Sequence, residues 1–300
     1  MSTAPPSRGT APPPRGTAVA SIALAALTAV ALLAACEPTG SSGAGAGPAE
    51  ADDPLIVAAA ADLRPAFEAL GERFEADTGE EVTFVFGSSG QLAQQAIEGA
   101  PMDVYASANV AYVDDVLASG RGDPDTQATY AYGRIALWAT DAAWRDWEDV
   151  EALATDPDVG SLAIANPEHA PYGQAAREAL AHAGVWDDVE EQLVYGENIA
   201  DAHRLASSGN ADAVITALSL AIGADEGVLD GQAEDGRWRL VDADAHQPLQ
   251  QDLLVVADDP DRAERARDFV ALVDSAQGRE IMRDYGFLLP DEDPPPAWEG

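Results

Sequence analysis

Apolar and polar residues follow two alternating patterns between residues 54 and 290 of the chain. Short apolar runs that are rich in β-branched or aromatic residues predict buried strands. We expect such strands at residues 55–60, 82–86, 103–108, 162–165, 193–195 and 211–216. Apolar residues at helical spacing follow most of these runs, as Leu63, Phe67, Leu70 and Phe74 follow the first. This order predicts an α/β fold, in which helices cover parallel strands and ligands bind at the carboxyl ends of those strands.

The segment at residues 130–140 departs from this order, because it is a long apolar run with a glycine in its middle. We expect one long strand there that runs from one lobe of the protein into another. A second series of strands and helices follows, in which residues 166–173 form a loop and a helix starts at about Gln174. Apolar runs at residues 238–241 and 252–256 then predict strands that cross back.

Four turns of small or polar residues stand between a predicted strand and a predicted helix. They lie at residues 60–62, 88–90, 170–173 and 197–199, two in each half of the chain. A helix N-terminus presents unpaired N–H groups and the positive end of the peptide dipoles, so it favours anions. If the four turns face one another they form one enclosed anion site; the alternative is that a serine at residues 88–90 merely caps its helix.

The charge of the chain is strongly negative, with 53 acidic residues against 16 basic ones and a formal net charge of −37. All of the basic residues are arginines. A nucleic-acid interface needs a basic face, so this composition excludes nucleic acid as a partner. An excess of acid this large is typical of a solvated, self-repelling surface rather than of a site for cationic substrates.

The N-terminal segment, residues 1–35, is predicted to be a secretory signal. Arg8 and Arg15 precede an Ala-, Leu- and Val-rich stretch at residues 18–32 that is too short and too weakly flanked to be a membrane span. The stretch leads to the sequence LAAC at residues 33–36, which resembles the bacterial lipobox, where the cysteine is lipidated and becomes the new N-terminus.

Cys36 is the only cysteine, which excludes an internal disulfide and any multi-cysteine metal cluster. The Gly-, Ser- and Ala-rich residues 36–53 predict a flexible tether, and residues 291–300, rich in Pro and acid, predict a disordered tail. We therefore expect an extracytoplasmic lipoprotein, in the periplasm or on the cell surface, that is held at a membrane through Cys36.

Six segments of the chain resemble the molybdate-binding proteins of ABC importers. They are VAAAADL at residues 57–63, FGSSGQLA at 86–93, GAPMDV at 99–104, NPEHAPYG at 166–173, GNADA at 209–213 and YGF at 285–287. The resemblance covers about residues 54–290 and implies a two-lobed type II periplasmic-binding-protein fold with a ligand cleft that closes about a hinge. It implies a first lobe at residues 54–134 and 249–290 and a second lobe at residues 135–248.

The resemblance also implies which residues bind the oxyanion. On the matching motifs these are Ala61 or Asp62, through an amide; Ser89, through hydroxyl and amide; Tyr172, through amide and phenol; and Ile199, through its amide. A tyrosine that some members of the family carry falls on Ala217 here, and we expect Tyr172 to replace that donor.

Asp62 stands where many members of the family have serine, and a carboxylate that faces a dianion is unfavourable. The repulsion is about 1 kcal/mol per charge pair at 4 Å in water, and several times more in a half-buried site. Either the side chain of Asp62 turns back to cap its own helix and only an amide meets the ligand, or the ligand arrives protonated. Because molybdate is a full dianion near neutral pH, we expect the capping role.

The resemblance implies a monomeric solute-binding protein that captures molybdate or tungstate, delivers it to the permease of an ABC importer and needs no cofactor. The alternative is a binder of the same fold for another oxyanion, such as sulfate or phosphate. We do not expect an enzyme, since Asp62, Ser89 and His169 lack a Gly-x-Ser-x-Gly elbow and the histidine falls in the other lobe. We expect no metal site either, because His169, His182, His203 and His246 have no convincing ligand spacing.

Overall fold

The computed structural model describes residues 53–225 and 236–291 of the 300-residue chain. The predicted secretory signal, Cys36 with the tether up to residue 52, and the tail from residue 292 lie outside the described residues. Within the described part, none of the helices has both the length and the apolar character that crossing a bilayer requires.

The described residues form ten strands, ten α-helices and four short 3₁₀ helices in an α/β arrangement. The strands are β1 (Leu55–Ala60), β2 (Val82–Gly87), β3 (Val104–Ser107), β4 (Ala128–Gly133), β5 (Ile135–Thr140), β6 (Leu162–Ala165), β7 (Leu193–Gly196), β8 (Ala213–Ala217), β9 (Gly236–Leu240) and β10 (Leu249–Val255). The helices are α1 (Arg64–Thr78), α2 (Ser89–Ile97), α3 (Val110–Ala118), α4 (Val150–Ala154), α5 (Pro171–His182), α6 (Trp186–Val189), α7 (Ile199–Ser207), α8 (Leu218–Asp225), α9 (Pro260–Asp274) and α10 (Ala276–Asp284).

The strands form two five-stranded sheets. The first sheet has the order β2-β1-β3-β10-β4 and the second has the order β7-β6-β8-β5-β9. In the first sheet β1 runs parallel to β2 and β3, whereas β10 is antiparallel to β3 and β4. The second sheet repeats this plan, with β6 parallel to β7 and β8 and with β5 antiparallel to β8 and β9. We call the first sheet with its helices lobe 1, and the second sheet with its helices lobe 2.

The expectation of one long strand at residues 130–140 is wrong, because the segment divides at Arg134 into β4 of lobe 1 and β5 of lobe 2. Arg134 donates from Nε to the carbonyl oxygen of Gly286 at 2.7 Å. The chain therefore passes from one sheet to the other within a single residue. It returns to the first sheet between β9 and β10, so the segments at residues 238–241 and 252–256 lie in different sheets and neither strand crosses between them.

The start of α5 also differs from the expectation. The helix begins at Pro171 rather than near Gln174, so Tyr172 and Gly173 lie in its first turn and not in a loop. Proline favours the first position of a helix, because its fixed φ is already helical and its missing N–H would be unpaired there. Gly173 allows this turn to lie against the end of β6, since a Cβ at this position would lie 2.7 Å from the carbonyl carbon of Ala165.

An ion pair holds α9 against the first sheet. The Arg262 side chain donates from Nε to Asp103 Oδ1 at 2.8 Å and from Nη2 to Asp103 Oδ2 at 2.5 Å. The same carboxylate accepts from the amide of Ile56 at 2.7 Å, so β1, the start of β3 and α9 meet at one point. The side chain of Asp103 is only 4% exposed and that of Arg262 is 14% exposed, so water screens this ion pair weakly.

Candidate functional site

A small cavity lies between the lobes, where the carboxyl ends of several strands meet the first turns of the helices that follow them. It is lined by Ala60, Ala61, Asp62, Gly87, Ser88, Ser89, Ala108, Ala170, Pro171, Tyr172, Asn198 and Ile199. The space open to the centre of a water-sized sphere is about 10 Å³, which is close to the least that holds one water molecule. Only a ligand of a few heavy atoms, such as a small ion, suits a space this tight.

The structure brings all five predicted oxyanion-binding residues into this lining. Ala61 and Asp62 lie in the short 3₁₀ turn that leads into α1, Ser89 is the first residue of α2, Tyr172 the second of α5, and Ile199 the first of α7. Each of the five is at most 3% exposed. First-turn amides have no partner within their own helix, so four helix starts direct N–H groups and positive dipole ends toward one space.

The starts of α7 and α2 leave hydrogen-bond donors available for a ligand. The Asn198 side chain accepts from the amide of Asp201 at 3.0 Å, so this N-cap leaves the Ile199 amide unpaired within α7. The Ser89 hydroxyl accepts from the amide of Ala108 at 3.1 Å. Since a hydroxyl that accepts one bond still has a hydrogen to donate, Ser89 offers both its amide and its hydroxyl.

The expectation that Asp62 caps its own helix is wrong. Neither the 3₁₀ turn nor α1 has a side-chain cap. Instead, Asp62 Oδ2 accepts from Gln251 Nε2 of β10 at 2.7 Å, while Oδ1 has no hydrogen-bond partner among the described residues. The side chain of Asp62 is completely buried. The carboxylate is bound by Gln251 of β10, which follows the return of the chain from lobe 2. This hydrogen bond takes the place of the expected capping interaction.

Burial raises the pKa of the Asp62 carboxyl from its ordinary value of 3.8 to about 6. The nearby donors of Gln251, Tyr172 and the Asp62 amide lower the pKa but do not offset the burial. Burial, followed by the charge of Asp62, raises the pKa of the Tyr172 phenol well above its ordinary value, so this hydroxyl keeps its proton. Asp62 is thus a carboxyl group whose charge is costly in its surroundings.

Sequence reasoning missed the polar network around this carboxyl. Gln251 Nε2 also donates to the Tyr172 hydroxyl at 3.2 Å, and Gln251 Oε1 accepts from the Tyr130 hydroxyl at 2.9 Å. The network joins residues of β4, β10, α5 and the turn after β1. Its members are far apart in sequence, and no local pattern near Gln251 indicates that its side chain reaches the site.

Direct hydrogen bonds close the cleft beside the cavity. The Ser88 hydroxyl donates to the carbonyl oxygen of His169 at 2.5 Å, and the amide of Gly90 donates to the same oxygen at 3.0 Å. Gln91 Nε2 donates to Glu197 Oε2 at 3.2 Å. Ser88, Gly90 and Gln91 belong to lobe 1 and their partners to lobe 2, so the structure shows the lobes in contact.

His169 does not combine with Asp62 and Ser89 into a hydrolytic set. Its Nδ1 lies 2.9 Å from the Ser88 hydroxyl, whereas Asp62 is bound to Gln251. The described residues also contain no group of three or more His, Cys, Asp or Glu side chains placed to hold a metal ion.

The chain is similar to known proteins over most of its length. The family model described as bacterial extracellular solute-binding protein matches residues 55–288. The molybdate-binding protein ModA of Rhodobacter capsulatus is 34% identical over 241 residues, which cover 80% of this chain and 90% of the relative. YvgL of Bacillus subtilis (strain 168), which is named as an ABC transporter substrate-binding lipoprotein, is 27% identical over 269 residues, or 89% of this chain and 97% of the relative.

A solved structure gives the same result for the fold. The periplasmic molybdate-binding protein of Azotobacter vinelandii has a TM-score of 0.70 and 28% sequence identity to this chain, over 79% of this chain and 100% of that one. The predicted α/β periplasmic-binding fold is therefore confirmed, and the relatives are solute-binding proteins rather than enzymes. The chain belongs to the family of bacterial extracellular solute-binding proteins and is related there to the molybdate-binding proteins.

Proposed function

We propose that this protein captures molybdate or tungstate outside the cytoplasm and delivers it to the permease of an ABC importer. The observation that carries the proposal is the convergence of four helix starts, with the Ser89 hydroxyl, on one small cavity between the lobes. Relatives named as molybdate-binding proteins support the choice of ligand. The protein acts as a monomeric binder, without a cofactor and without catalysis.

Neutral donors suit a dehydrated tetrahedral dianion. Amides and hydroxyls form charge-assisted hydrogen bonds to its oxygens and require no arginine, and none of the cavity-lining residues is an arginine. Selectivity then depends on the size of the cavity and on which of its groups donate and which accept. The strong negative charge of the protein opposes capture only weakly, because the Debye length is roughly 8 Å at physiological salt.

We further propose that the protein is anchored by lipid on Cys36. The LAAC sequence at residues 33–36 supports this anchor, as does the similarity to YvgL, which is named as a lipoprotein. Labelling of growing cells with a radioactive or clickable fatty acid tests it. We expect label on the wild-type protein and none on Cys36→Ser, and an unlabelled wild-type protein would contradict the anchor.

A phosphate binder of the same fold is a second candidate, on one observation. Asp62 is one of the residues that line the cavity, and a carboxylate acceptor there favours a protonated oxyanion such as hydrogen phosphate over a fully deprotonated one such as sulfate.

Thermal unfolding with molybdate, tungstate, sulfate and phosphate in parallel tests the proposal. Ligand at a hundred times its Kd adds about 2.7 kcal/mol to stability, which is a rise in Tm of roughly 5–10 °C for a domain of this size. We expect this rise with molybdate and tungstate and a smaller one or none with the other two anions. A response to phosphate alone would favour the second candidate, and no response to molybdate or tungstate would reject the first.

Two serine variants show whether the response arises at the cavity. Ser89→Ala removes a hydroxyl donor to a charged ligand, worth about 1.5–3 kcal/mol, and should weaken molybdate binding about 10- to 100-fold. Ser119→Ala is the matched control, because the Ser119 hydroxyl only donates to the Val116 carbonyl oxygen at the end of α3. An affinity of Ser89→Ala equal to that of the wild type and of Ser119→Ala would place the ligand elsewhere.

Ser88→Ala tests the closure of the cleft. Its hydroxyl joins the lobes through His169, so its removal should lower molybdate affinity by the worth of one hydrogen bond, about 1 kcal/mol or fivefold. The dissociation rate, measured by stopped-flow tryptophan fluorescence, should rise by the same factor, because the hydrogen bond stabilises the closed form. An unchanged dissociation rate would contradict the role of Ser88 in closure.

A further inference from the structure

The Asp62 carboxyl is a feature that capture of an anion through neutral donors does not require. Asp62 is one of the residues that line the cavity, its side chain is completely buried, and its Oδ1 has no hydrogen-bond partner among the described residues. A buried carboxylate oxygen without a donor is unfavourable, and an anionic ligand beside it would make the charged form worse still. Such an oxygen is well placed to carry a proton.

The neighbouring groups fix which carboxyl oxygen is free. The Tyr130 hydroxyl donates to Gln251 Oε1, and this bond turns Gln251 Nε2 toward Asp62 Oδ2. Gln251 can therefore supply only a donor to Asp62. Oδ2 accepts from that donor whether the carboxyl is charged or neutral, and Oδ1 is left as the atom that gains or loses the proton.

No cation among the described groups offsets the charge of Asp62. The groups that act on its carboxyl are Gln251 from β10, Tyr172 from α5 and the amide of Asp62 itself. The hydroxyl of Ser219 in α8 donates to the backbone oxygen of Asp62, at 2.7 Å, and not to its side chain. Tyr130 and Tyr172 stay neutral, because burial and the charge of Asp62 raise the pKa of both phenols.

We propose that the site takes up its oxyanion together with one proton from solvent, which Asp62 Oδ1 holds against a ligand oxygen in the closed cleft. This inference rests on the proposed function and adds the protonation state of the complex. A neutral carboxylic acid donates to a dianion, whereas a carboxylate repels it, so the shared proton turns an unfavourable contact into a hydrogen bond. Without ligand, the raised pKa of Asp62, about 6, leaves the carboxyl mainly charged at pH 7.5.

The affinity for the oxyanion depends on pH because Asp62 is mainly charged in the free protein and protonated in the complex. The free site binds fewer protons than the occupied site at every pH between the pKa of Asp62 without ligand and its higher value with ligand. Affinity for a dianion must therefore fall as pH rises through that interval, by about tenfold per pH unit. Below pH 6 Asp62 no longer makes the affinity depend on pH, because it is already protonated in the free protein.

Titration calorimetry with sodium molybdate, repeated at pH 7.5 in buffers of different ionisation enthalpy, counts the proton directly. Phosphate buffer is avoided because phosphate is a candidate competitor. We expect the observed enthalpy to vary with the ionisation enthalpy of the buffer, with a slope that reports uptake of nearly one proton per molybdate. We expect affinity to fall about tenfold per unit from pH 7 to pH 8.5.

Two variants identify the group that takes up the proton. Asp62→Asn retains an oxygen for Gln251 and places an N–H donor where the acid proton would be. This variant should therefore take up no proton when it binds molybdate, and its affinity should be independent of pH. His169→Gln is the control, because His169 is a second titratable side chain at the cleft, 2.9 Å from Ser88 and 4.0 Å from Glu197. The His169→Gln variant should still take up nearly one proton per molybdate bound.

A gain in Tm verifies that Asp62→Asn is folded. The unfolded chain releases the Asp62 proton near pH 3.8 and the folded chain near 6, so the charged carboxyl lowers the stability of the ligand-free protein above pH 6. The Tm of the ligand-free variant at pH 7.5 should therefore lie above that of the wild type.

The outcomes separate the inference from the function on which it rests. Tight molybdate binding by the wild type with no buffer dependence overturns the inference and leaves the proposed function standing. Proton uptake that persists in Asp62→Asn, or that disappears in His169→Gln, assigns the proton to another group and also overturns it. If neither molybdate nor tungstate gives any binding, the proposed function fails and the inference falls with it.

Discussion

Gly173→Ala is expected to reduce molybdate affinity on the order of 100-fold and to destabilise the protein by about 1–3 kcal/mol. The added Cβ would overlap the carbonyl oxygen of Ala165 and lie 2.7 Å from its carbonyl carbon and 2.9 Å from the carbonyl carbon of Asn166. Because all of these atoms belong to the backbone, the first turn of α5 must move away from the end of β6. Tyr172 moves with it, and the loss of one or two charge-assisted hydrogen bonds accounts for the fall in affinity.

Gly160→Ala is the matched control for this substitution. A Cβ at Gly160 would lie 3.5 Å from Asp212 Oδ2, which is an ordinary van der Waals distance. Calorimetry with molybdate and urea unfolding of both variants measure the two effects. If Gly173→Ala bound molybdate as tightly as Gly160→Ala, the position of the α5 start would not determine the geometry of the site.

Arg262→Ala is expected to cost about 3–5 kcal/mol of unfolding free energy. The substitution leaves the nearly buried carboxylate of Asp103 with the amide of Ile56 but without its charged partner. An uncompensated buried charge is far more costly than a lost surface ion pair, because the protein interior does not solvate it. Urea unfolding at pH 7.5 measures the change.

Arg204→Ala gives the comparison with an exposed ion pair. Arg204 contacts Asp201 on the same helix at 3.2 Å, and its side chain is 62% exposed. Such a pair contributes less than about 0.5 kcal/mol. A loss below 1 kcal/mol for Arg262→Ala would mean that water or another donor satisfies Asp103 once the guanidinium is gone.

The sequence predicts much of the fold, because each strand–turn–helix unit is encoded locally. The apolar run at residues 55–60 and the helical spacing from Leu63 to Phe74 correspond to β1 and to the buried face of α1. The four turns between strands and helices all reach one cavity. Each strand–turn–helix unit depends on side chains within about ten residues of one another, which is the range over which periodicity and capping act, whereas the meeting of the four turns at one cavity depends on the whole fold.

Features that depend on distant partners could not be predicted in this way. Residues 130–140 read as a single strand, because no local signal indicates that β4 pairs with β10 while β5 pairs with β8 and β9. The side chain of Asp62 was expected to cap its helix, and Gln251, 189 residues away, binds it instead. The start of α5 is a different case, since Pro171 is itself a signal for a first helical position and was interpreted as part of a loop.

The position of β10 has a consequence for the order in which the protein can be assembled during synthesis. β10 lies between β3 and β4 in the first sheet, so that sheet stays incomplete until the polypeptide has been made through Val255. The second sheet needs nothing beyond Leu240. In a chain that emerges with its N-terminus first, the second sheet can therefore form before the first sheet is complete. More than a hundred residues separate β4 from β10, the strand with which it pairs.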